Sequence, residues 1–192
     1  MKLFMIRHGQ SEANLQTFYT GQTDVKLTAL GESQAAAIRP ILADIPFDKV
    51  FCSDLTRTAE TKRFALPDVA CEYTKLLREF DVGSLAGLDY RTIERIQSDD
   101  PNVHPDYTYY GGENAIIVQQ RLRDFLSQIE NSEYECVAAF THYGVIRCML
   151  RYVTQTNPAQ NSIDIGNCSI HAFEFNGEKW RVLALNYMNP LV

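Results

Sequence analysis

Two histidines stand just beyond short apolar runs of the sequence. One residue separates His8 from the run Lys2–Ile6, and one residue separates His142 from the run Cys136–Phe140. Runs this short and this apolar are typical of strands that are buried on both faces. Ligands of open α/β sheets bind beyond the carboxyl ends of the strands, so two neighbouring strands would bring both rings to one crevice.

Two arginines accompany these histidines. Arg7 directly precedes His8, and Arg57 follows the apolar run Val50–Cys52 within the first turns of a predicted helix. Guanidinium groups match phosphoryl oxygens with paired hydrogen bonds. A helix start near Asp54–Thr56 would add backbone N–H donors to the same place. The pattern indicates a site for a small anion.

Glu79 adds a carboxyl group to this set. It follows an extended run, Cys71–Leu77, and precedes Gly83 and Gly87. A carboxyl group that is shielded from water can act as a general acid and give a proton to a leaving group. Two histidines, two arginines and one acid together predict phosphoryl transfer with a histidine as the nucleophile.

Two other chemistries use some of the same residue types. Histidines and acids bind zinc, but arginines at the same place repel a cation and have no lone pair to offer, so no metal is predicted. A serine nucleophile would need an elbow of the type G-x-S-x-G, which the sequence lacks. Guanidinium charge beside His8 would also disfavour its imidazolium form, which keeps the ring nucleophilic.

Strand-like and helix-like segments alternate along the chain, which predicts an α/β domain with a mostly parallel central sheet. Two further strands, Ile170–Phe175 and Val182–Tyr187, are joined through an Asn-Gly pair favoured in tight hairpins. One helix begins after the N-cap Thr28, and Pro40 kinks or ends it. Further helices are predicted at Leu55–Ala65, Glu113–Ile129 and Val145–Val153.

The chain of 192 residues is predicted to be a single domain, 1–192. The segment from about 89 to 112 is polar, carries Pro101 and Pro105, and ends in a cluster of tyrosines. We expect this segment to be an insertion or lid rather than a second domain. A glycine-rich nucleotide loop of the type G-x-G-x-x-G and a P-loop are both absent from the sequence.

The composition is that of an ordinary globular protein, with 45% hydrophobic and 22% charged residues. The net charge of −6 does not suit binding to nucleic acid or to an anionic membrane, which calls for a basic face. No leader peptide and no membrane-spanning run is recognisable. The five cysteines are scattered and lack C-x-x-C spacing, a pattern typical of reduced thiols. We therefore expect the cytoplasm as the compartment.

The segment RHGQSEAN, which begins at Arg7, resembles the signature R-H-G-x-T/S-x-x-N of the histidine phosphatase superfamily, also called phosphoglycerate mutase-like. Further segments resemble the later motifs of this family, in the family's order and over most of the chain. They are GQTDVKLT from Gly21, SDLTRTAET from Ser53, Glu79 with its glycines, GGE from Gly111 and THYGVIR from Thr141. A set of motifs in this order is highly specific.

The resemblance implies a role for each matching residue. His8 would be the phosphorylated nucleophile, and Glu79 would give and take the proton. Arg7, Arg57 and His142 would hold the phosphoryl group. Further residues expected to bind phosphate or substrate are Asn14, Gln22 and Tyr143. The family fold is a three-layer α/β/α sandwich without a required metal, so the resemblance implies this fold and no cofactor.

Departures from the mutase pattern favour a phosphatase. Cofactor-dependent phosphoglycerate mutases continue the acid motif as E-R-H-Y-G, whereas this chain reads EFDVG from Glu79. The mutases also carry a lysine and paired arginines in a long insertion, and residues 97–120 here contain neither lysine nor arginine. Tyr143 replaces the more frequent glycine after the second histidine, and it is expected to narrow the pocket or to stack on a substrate.

The predicted function is therefore hydrolysis of small phosphate monoesters through a phosphohistidine, with a small phosphorylated metabolite as the partner. A cofactor-dependent mutase is the alternative with the same fold, and a non-catalytic protein that binds a phosphorylated ligand is a third. The α-ribazole-phosphate phosphatases and broad-specificity phosphomonoesterases are family members of similar size. Apolar and aromatic side chains indicate either a substrate with an apolar body or the packing of a lid; they are Phe80, Leu85, Tyr107, Tyr109 and Tyr110.

Overall fold

The computed structural model describes residues 1–93, 107–156 and 163–187. The strands within these ranges are β1 (Lys2–Arg7), β2 (Lys49–Ser53), β3 (Glu72–Thr74), β4 (Cys136–Thr141), β5 (Ile170–Phe175) and β6 (Trp180–Tyr187). The α-helices within them are α1 (Glu12–Gln16), α2 (Ala29–Ala37), α3 (Arg39–Ala43), α4 (Thr56–Ala65), α5 (Ala115–Glu130) and α6 (Tyr143–Thr154). Short 3₁₀ turns lie at Lys75–Leu77, Gly83–Leu85 and Tyr107–Tyr110.

The strands form one sheet in the order β3-β2-β4-β1-β5-β6. The first four run parallel to one another, and β5 and β6 add an antiparallel hairpin at the far side. β1 and β4 are direct neighbours, and Arg7 lies opposite Thr141 in their register. The two strands that precede the histidines therefore end side by side, as the sequence pattern required, and the predicted mostly parallel sheet is confirmed.

Helices cover both faces of the sheet. Successive residues of a buried strand point to opposite faces, so each strand contributes apolar side chains to the core on either side. Leu3 and Met5 of β1 join the core beneath α5 and α6, whereas Ile6 joins the core beneath α2, α3 and α4. Phe125 on α5 and Phe140 on β4 are fully buried, one in each of these two cores. This arrangement is a three-layer α/β/α sandwich, as the resemblance implied.

The helix starts follow local capping chemistry. The Thr28 hydroxyl accepts a hydrogen bond from the Gly31 N–H and caps α2, as predicted. α2 ends at Ala37, and Pro40 lies in the first turn of the separate helix α3, where its missing N–H costs no helical hydrogen bond. The side chain of Asp24 caps α4 from a distant loop, since it accepts hydrogen bonds from the Thr56 N–H and hydroxyl.

The extended run expected at Cys71–Leu77 is shorter in the structure. Only Glu72–Thr74 forms a strand, and a 3₁₀ turn occupies Lys75–Leu77. The turn begins there because the Thr74 hydroxyl accepts a hydrogen bond from the Leu76 N–H, an interaction that competes with continued strand pairing. The chain therefore leaves the sheet before it reaches Glu79 and presents that residue from a loop.

The insertion expected at about 89–112 falls partly on residues 94–106, which lie outside the described residues. At its start Asp89 forms a bridge with Phe18, and at its end the turn Tyr107–Tyr110 packs against a small apolar cluster around Val82 and Leu85. Within the described ranges, the helices are all too short or too polar to cross a membrane.

Candidate active site

His8 lies just past the end of β1, where its ring is almost completely buried. Its backbone N–H donates to the carbonyl of Thr141 at 3.1 Å, which continues the pairing with β4 by one residue. Nδ1 of its ring lies 2.7 Å from the carbonyl oxygen of Gly9. A carbonyl can only accept, so Nδ1 carries the proton and Nε2 keeps a free lone pair. The ring is thus held in the tautomer that a nucleophile requires.

The surroundings of His8 keep its ring uncharged. Burial lowers the pKa of His8 well below the ordinary value of about 6.5, and the positive charges of Arg57 and Arg7 lower it further. The same causes, burial first and then Arg57, lower the pKa of His142. The two ring centroids lie 5.2 Å apart. Both imidazoles are therefore neutral at physiological pH.

His142 forms the N-cap of α6, at the end of β4. Its Nε2 lies 3.0 Å from the hydroxyl of Ser53, a fully buried residue at the end of β2. The Ser53 oxygen accepts from the Leu55 N–H, and its hydroxyl can donate to His142 Nε2; in that arrangement the ring proton of His142 is on Nδ1. Nδ1 is buried and has no hydrogen-bond partner among the described residues. Buried polar atoms are normally paired, so this donor marks a place for an acceptor.

The two arginines hold their charge beside these rings with neutral partners. Arg57 is 1% exposed and donates to the carbonyls of Thr23 at 3.1 Å and Gly21 at 2.8 Å. Burial lowers the pKa of Arg57 to about 10, which still leaves it protonated at neutral pH. Arg7 donates from Nη1 to the carbonyl of Ile165, and its buried Nε has no partner within the described part of the chain. Arg7 Nε is thus a second buried donor without an acceptor.

Two side chains lock the histidine segment to its neighbours. The Gly9 N–H donates to the Thr61 hydroxyl at 3.0 Å, and that hydroxyl donates to the Arg57 carbonyl at 2.6 Å. Asn167 donates from Nδ2 to the His8 carbonyl at 3.0 Å and lies 3.4 Å from Asn14 Oδ1. The loop before α1, helix α4 and the loop before β5 are therefore joined around His8.

Asn14 itself completes the capping box of α1. Its Oδ1 accepts hydrogen bonds from the N–H and the hydroxyl of Ser11. That use of the oxygen turns the amide nitrogen of Asn14 away from the cap. Its predicted contact with phosphate stays a prediction.

Glu79 faces the start of α6 from its loop. Its Oε1 accepts from the Phe80 N–H at 2.9 Å, and its Oε2 accepts from the Gly144 N–H at 3.1 Å. A Cβ atom at Gly144 would collide with Glu79 Oε1 and lie 2.5 Å from Phe80 Cδ2. Glycine is therefore needed at position 144 because the carboxyl group and the neighbouring ring fill the space where a side chain would stand.

Gln22 and Tyr143 lie beside this group and contact other parts of the protein. The Gln22 amide donates to the Glu79 carbonyl at 3.1 Å, and its oxygen accepts from Arg78 Nη1 at 3.2 Å. The Tyr143 ring lies 5.3 Å from the guanidinium carbon of Arg7, on which it makes a cation–π contact. The expected contacts of Gln22 and Tyr143 with phosphate or substrate stay predictions.

The structure thus gathers His8, Arg7, Arg57, His142 and Glu79 at one edge of the sheet. The sequence pattern alone assigned no role to several supporting residues, namely Ser53, Thr61 and Arg121. One signal was present for Thr61, which lies four residues after Arg57 and so on the same face of α4. Across the described residues, no group of three or more His, Cys, Asp or Glu side chains is placed to hold a metal ion.

Comparison with known proteins identifies the family. The model of the histidine phosphatase superfamily, branch 1, matches residues 3–188. The chain belongs to this superfamily. The match covers every residue of the group described above, and it confirms the resemblance noted in the motifs.

Relatives within the superfamily include both phosphatases and mutases. The adenosylcobalamin/alpha-ribazole phosphatase of Escherichia coli is 29% identical over 78% of this chain and 77% of its own length. A 2,3-bisphosphoglycerate-dependent phosphoglycerate mutase of Gloeobacter violaceus is 31% identical over 92% of this chain and 86% of its own length. The predicted enzyme class, a phosphomonoesterase of the phosphoglycerate mutase family, is confirmed by these matches.

Solved structures confirm the fold. A mycobacterial glucosyl-3-phosphoglycerate phosphatase, solved in complex with VO3, superimposes on this chain with a TM-score of 0.83. It is 26% identical, and the match covers 96% of this chain and 98% of that one. The α/β/α sandwich of this histidine phosphatase is therefore the fold of its superfamily.

The contact between Gly144 and Glu79 gives a direct test of the site. We expect Gly144→Ala to lower kcat by roughly 10²-fold, because the added methyl group pushes the Glu79 carboxyl group and the Phe80 ring out of place. Steady-state kinetics on an aryl phosphate would measure the loss. Inhibition by inorganic phosphate should change little, since Arg57 and His142 do not contact the added group. Unchanged kcat in a folded Gly144→Ala protein would contradict the placement of Glu79.

Proposed function

We propose that this chain is a phosphatase that hydrolyses small phosphate monoesters through a phosphohistidine at His8. One observation carries the proposal: a neutral imidazole with a free Nε2 lies beside two cations, the half-buried Arg7 and the buried Arg57. The buried donors Arg7 Nε and His142 Nδ1, which have no partner among the described residues, supply places for the oxygens of a phosphoryl group. A protein that only bound phosphate would need no such nucleophile.

In the first step the Nε2 lone pair of His8 attacks the phosphorus, and the bond from phosphorus to the ester oxygen breaks. Glu79 gives a proton to the departing alkoxide, which leaves as an alcohol. Arg7, Arg57 and His142 donate to the equatorial oxygens, where charge redistributes in the transition state. Because these donors are fixed by carbonyls and by Ser53, they need little reorganisation during the reaction.

In the second step water attacks the phosphorus of the phosphohistidine. The Glu79 carboxylate takes a proton from that water, the bond from phosphorus to Nε2 breaks, and inorganic phosphate forms. His8 returns to its neutral tautomer, with the Nδ1 proton still donated to Gly9. The enzyme is regenerated without any external cofactor.

The charges around the acid favour a phosphatase over a mutase. A bisphosphorylated cofactor needs a second cluster of cations, and residues 97–120 contain neither lysine nor arginine. Arg78 and Arg121, which lie near Glu79, are already paired with Asp54 and Glu113. A mutase is the second candidate because the Gloeobacter violaceus relative carries that name. Rapid interconversion of phosphoglycerate isomers by the purified protein would establish the mutase instead.

Aromatic rings lie beside the acid. The Phe80 ring lies against Gly144 and makes an edge contact with Tyr107, whose centroid is 6.1 Å away. Tyr107 in turn makes an edge contact with Tyr19 at 6.3 Å, whereas Tyr109 is 74% exposed. We infer a small organic phosphate as the substrate, with its organic body beside Phe80. A screen of phosphorylated metabolites would identify it.

We also propose the cytoplasm as the compartment of this enzyme. All five cysteines are free thiols, and Cys52, Cys148 and Cys168 are buried. Such a set is typical of proteins from a reducing environment. Burial raises the pKa of Cys148 to about 12, so that its thiol is not a nucleophile at neutral pH.

The role of His8 is tested by substitution and by trapping. We expect His8→Ala to lose roughly 10³-fold or more of its activity on an aryl phosphate, because no other group can replace the nucleophile. Wild-type enzyme quenched during turnover of a labelled substrate should carry an acid-labile label that His8→Ala lacks. A chelator should leave wild-type activity unchanged. Full activity in His8→Ala would disprove the mechanism.

The role of Glu79 is tested by leaving groups of different basicity. An alkoxide needs a proton to leave, whereas an aryl oxide leaves more readily without one. We therefore expect Glu79→Gln to lose roughly 10²-fold on an alkyl phosphate and markedly less on an aryl phosphate. Kinetics on both substrates would show the difference. Equal losses on the two substrates would contradict the role of Glu79 as the proton donor.

The electrostatics of His8 predict the acid limb of the pH profile. A lowered pKa keeps the ring neutral as the pH falls below about 6.5, so kcat/KM should not lose activity to His8 protonation between pH 7 and 6. Arg57→Gln removes one charge that lowers this pKa, and its acid limb should move to higher pH. Arg63→Gln, an exposed position on the same helix, is the matched control. An acid limb at the same pH in Arg57→Gln and Arg63→Gln would rule out this electrostatic effect.

A further inference from the structure

The catalytic acid of the proposed mechanism is carried by irregular backbone. Residues 78–82 lie between the 3₁₀ turns Lys75–Leu77 and Gly83–Leu85 and belong to neither a helix nor a strand. We call residues 76–81 the acid loop; this range includes the end of the preceding 3₁₀ turn. A proton donor must stay within hydrogen-bond reach of the leaving oxygen, so something outside this loop has to fix its position.

One guanidinium group binds three carbonyls of the acid loop. Arg121 donates from Nη1 to the carbonyls of Leu76 at 3.0 Å and Arg78 at 3.1 Å. It donates from Nη2 to the carbonyl of Glu79 at 3.3 Å. Arg121 lies on α5, which is packed in the core through the neighbouring Leu122. The loop is thereby attached to a rigid helix.

Glu113 fixes the orientation of that guanidinium. It accepts from Arg121 Nε and Nη2, with both distances at 2.8 Å, in a bidentate pair of largely buried side chains. Its Oε2 also accepts from the Asp81 N–H at 2.9 Å and from Gln22 Nε2 at 3.4 Å. The pair therefore binds the backbone on both sides of the Glu79 side chain.

We propose that Arg121, held by Glu113, is a positioning residue for the proton transfer by Glu79, a role that rests on the proposed function. Among the described residues, the hydrogen bonds of the pair go to the acid loop and to Gln22 and not to His8, Arg7 or Arg57, so we expect it to act on the acid and not on the nucleophile. Its loss lets the acid loop shift while the phosphoryl site stays in place. The effect therefore falls on the protonation of the leaving group.

A merely structural role for the pair would give a different result. Lower stability reduces the amount of folded enzyme and scales the activity on every substrate by the same factor. A misplaced acid instead costs most where the leaving group needs a proton. The ratio of activity on an alkyl phosphate to activity on an aryl phosphate separates the two, because the amount of folded enzyme cancels from it.

The test compares Arg121→Lys with Arg123→Lys. Lysine keeps the charge but cannot donate to Glu113 and to three carbonyls at once. Arg123 is an exposed arginine on the same helix and serves as the matched control. We expect Arg121→Lys to lower the ratio of alkyl to aryl activity by roughly tenfold or more, and Arg123→Lys to leave it unchanged. An unchanged ratio in folded Arg121→Lys would overturn the proposal.

A double variant gives an independent readout. If Arg121 acts through Glu79, Arg121→Lys should add little further loss on the alkyl phosphate once Glu79→Gln is present. Losses that multiply in the double variant would overturn the proposal. Should Arg121→Lys fail to fold, Glu113→Gln is subject to the same ratio test. Activity retained by His8→Ala would contradict the proposed function, whereas an unchanged ratio contradicts only the role of Arg121.

Discussion

The site depends on how its positive charge is held. Arg57 is buried and Arg7 is half-buried, and the described hydrogen bonds of their guanidinium groups go to the main-chain carbonyls of Ile165, Thr23 and Gly21. Carbonyl oxygens satisfy the N–H groups without cancelling the charge, so two uncancelled cations stand next to His8. Arg78 and Arg121, a short distance away, are paired with carboxylates instead. Arginines that donate to neutral carbonyls keep their charge available to an anion, whereas arginines paired with carboxylates do not.

This charge has consequences for the rings beside it. Burial, and after it the nearby cations, lower the pKa of His8 and of His142, so both imidazoles stay neutral. A neutral ring has one donor and one acceptor nitrogen, and the hydrogen-bond partners of the ring decide which nitrogen carries the proton. The Gly9 carbonyl assigns the lone pair of His8 to Nε2, and a hydrogen bond donated by the Ser53 hydroxyl to Nε2 of His142 places the proton of that ring on Nδ1. In the proposed mechanism one histidine is the nucleophile and the other is a donor to the phosphoryl group.

Close packing holds the loops that carry these groups. A side chain at Gly9 would lie 2.5 Å from the Gly31 carbonyl oxygen, and one at Gly144 would enter the space of Glu79 and Phe80. These glycines permit contacts between backbone and functional groups that no larger residue allows. Thr61 on α4 and Asn167 in the loop before β5 also bind the backbone of Gly9 and His8 by hydrogen bonds. The position of each reactive atom is thus set by several loops at once.

The sequence by itself determined the candidate site residues and most of the elements, because strand ends, helix caps and motif residues are local features. It placed His8 and His142 after buried strands, and it found the cap at Thr28 and the break at Pro40. Only the tertiary structure decided that β4 lies between β1 and β2, which brings His142 beside His8 and Ser53. It also decided the support of the acid loop, which the sequence did not reveal: Arg121 and the three carbonyls that it binds lie more than 40 residues apart in the chain. Contacts over such separations follow from the path of the chain, and no local pattern of residues records that path.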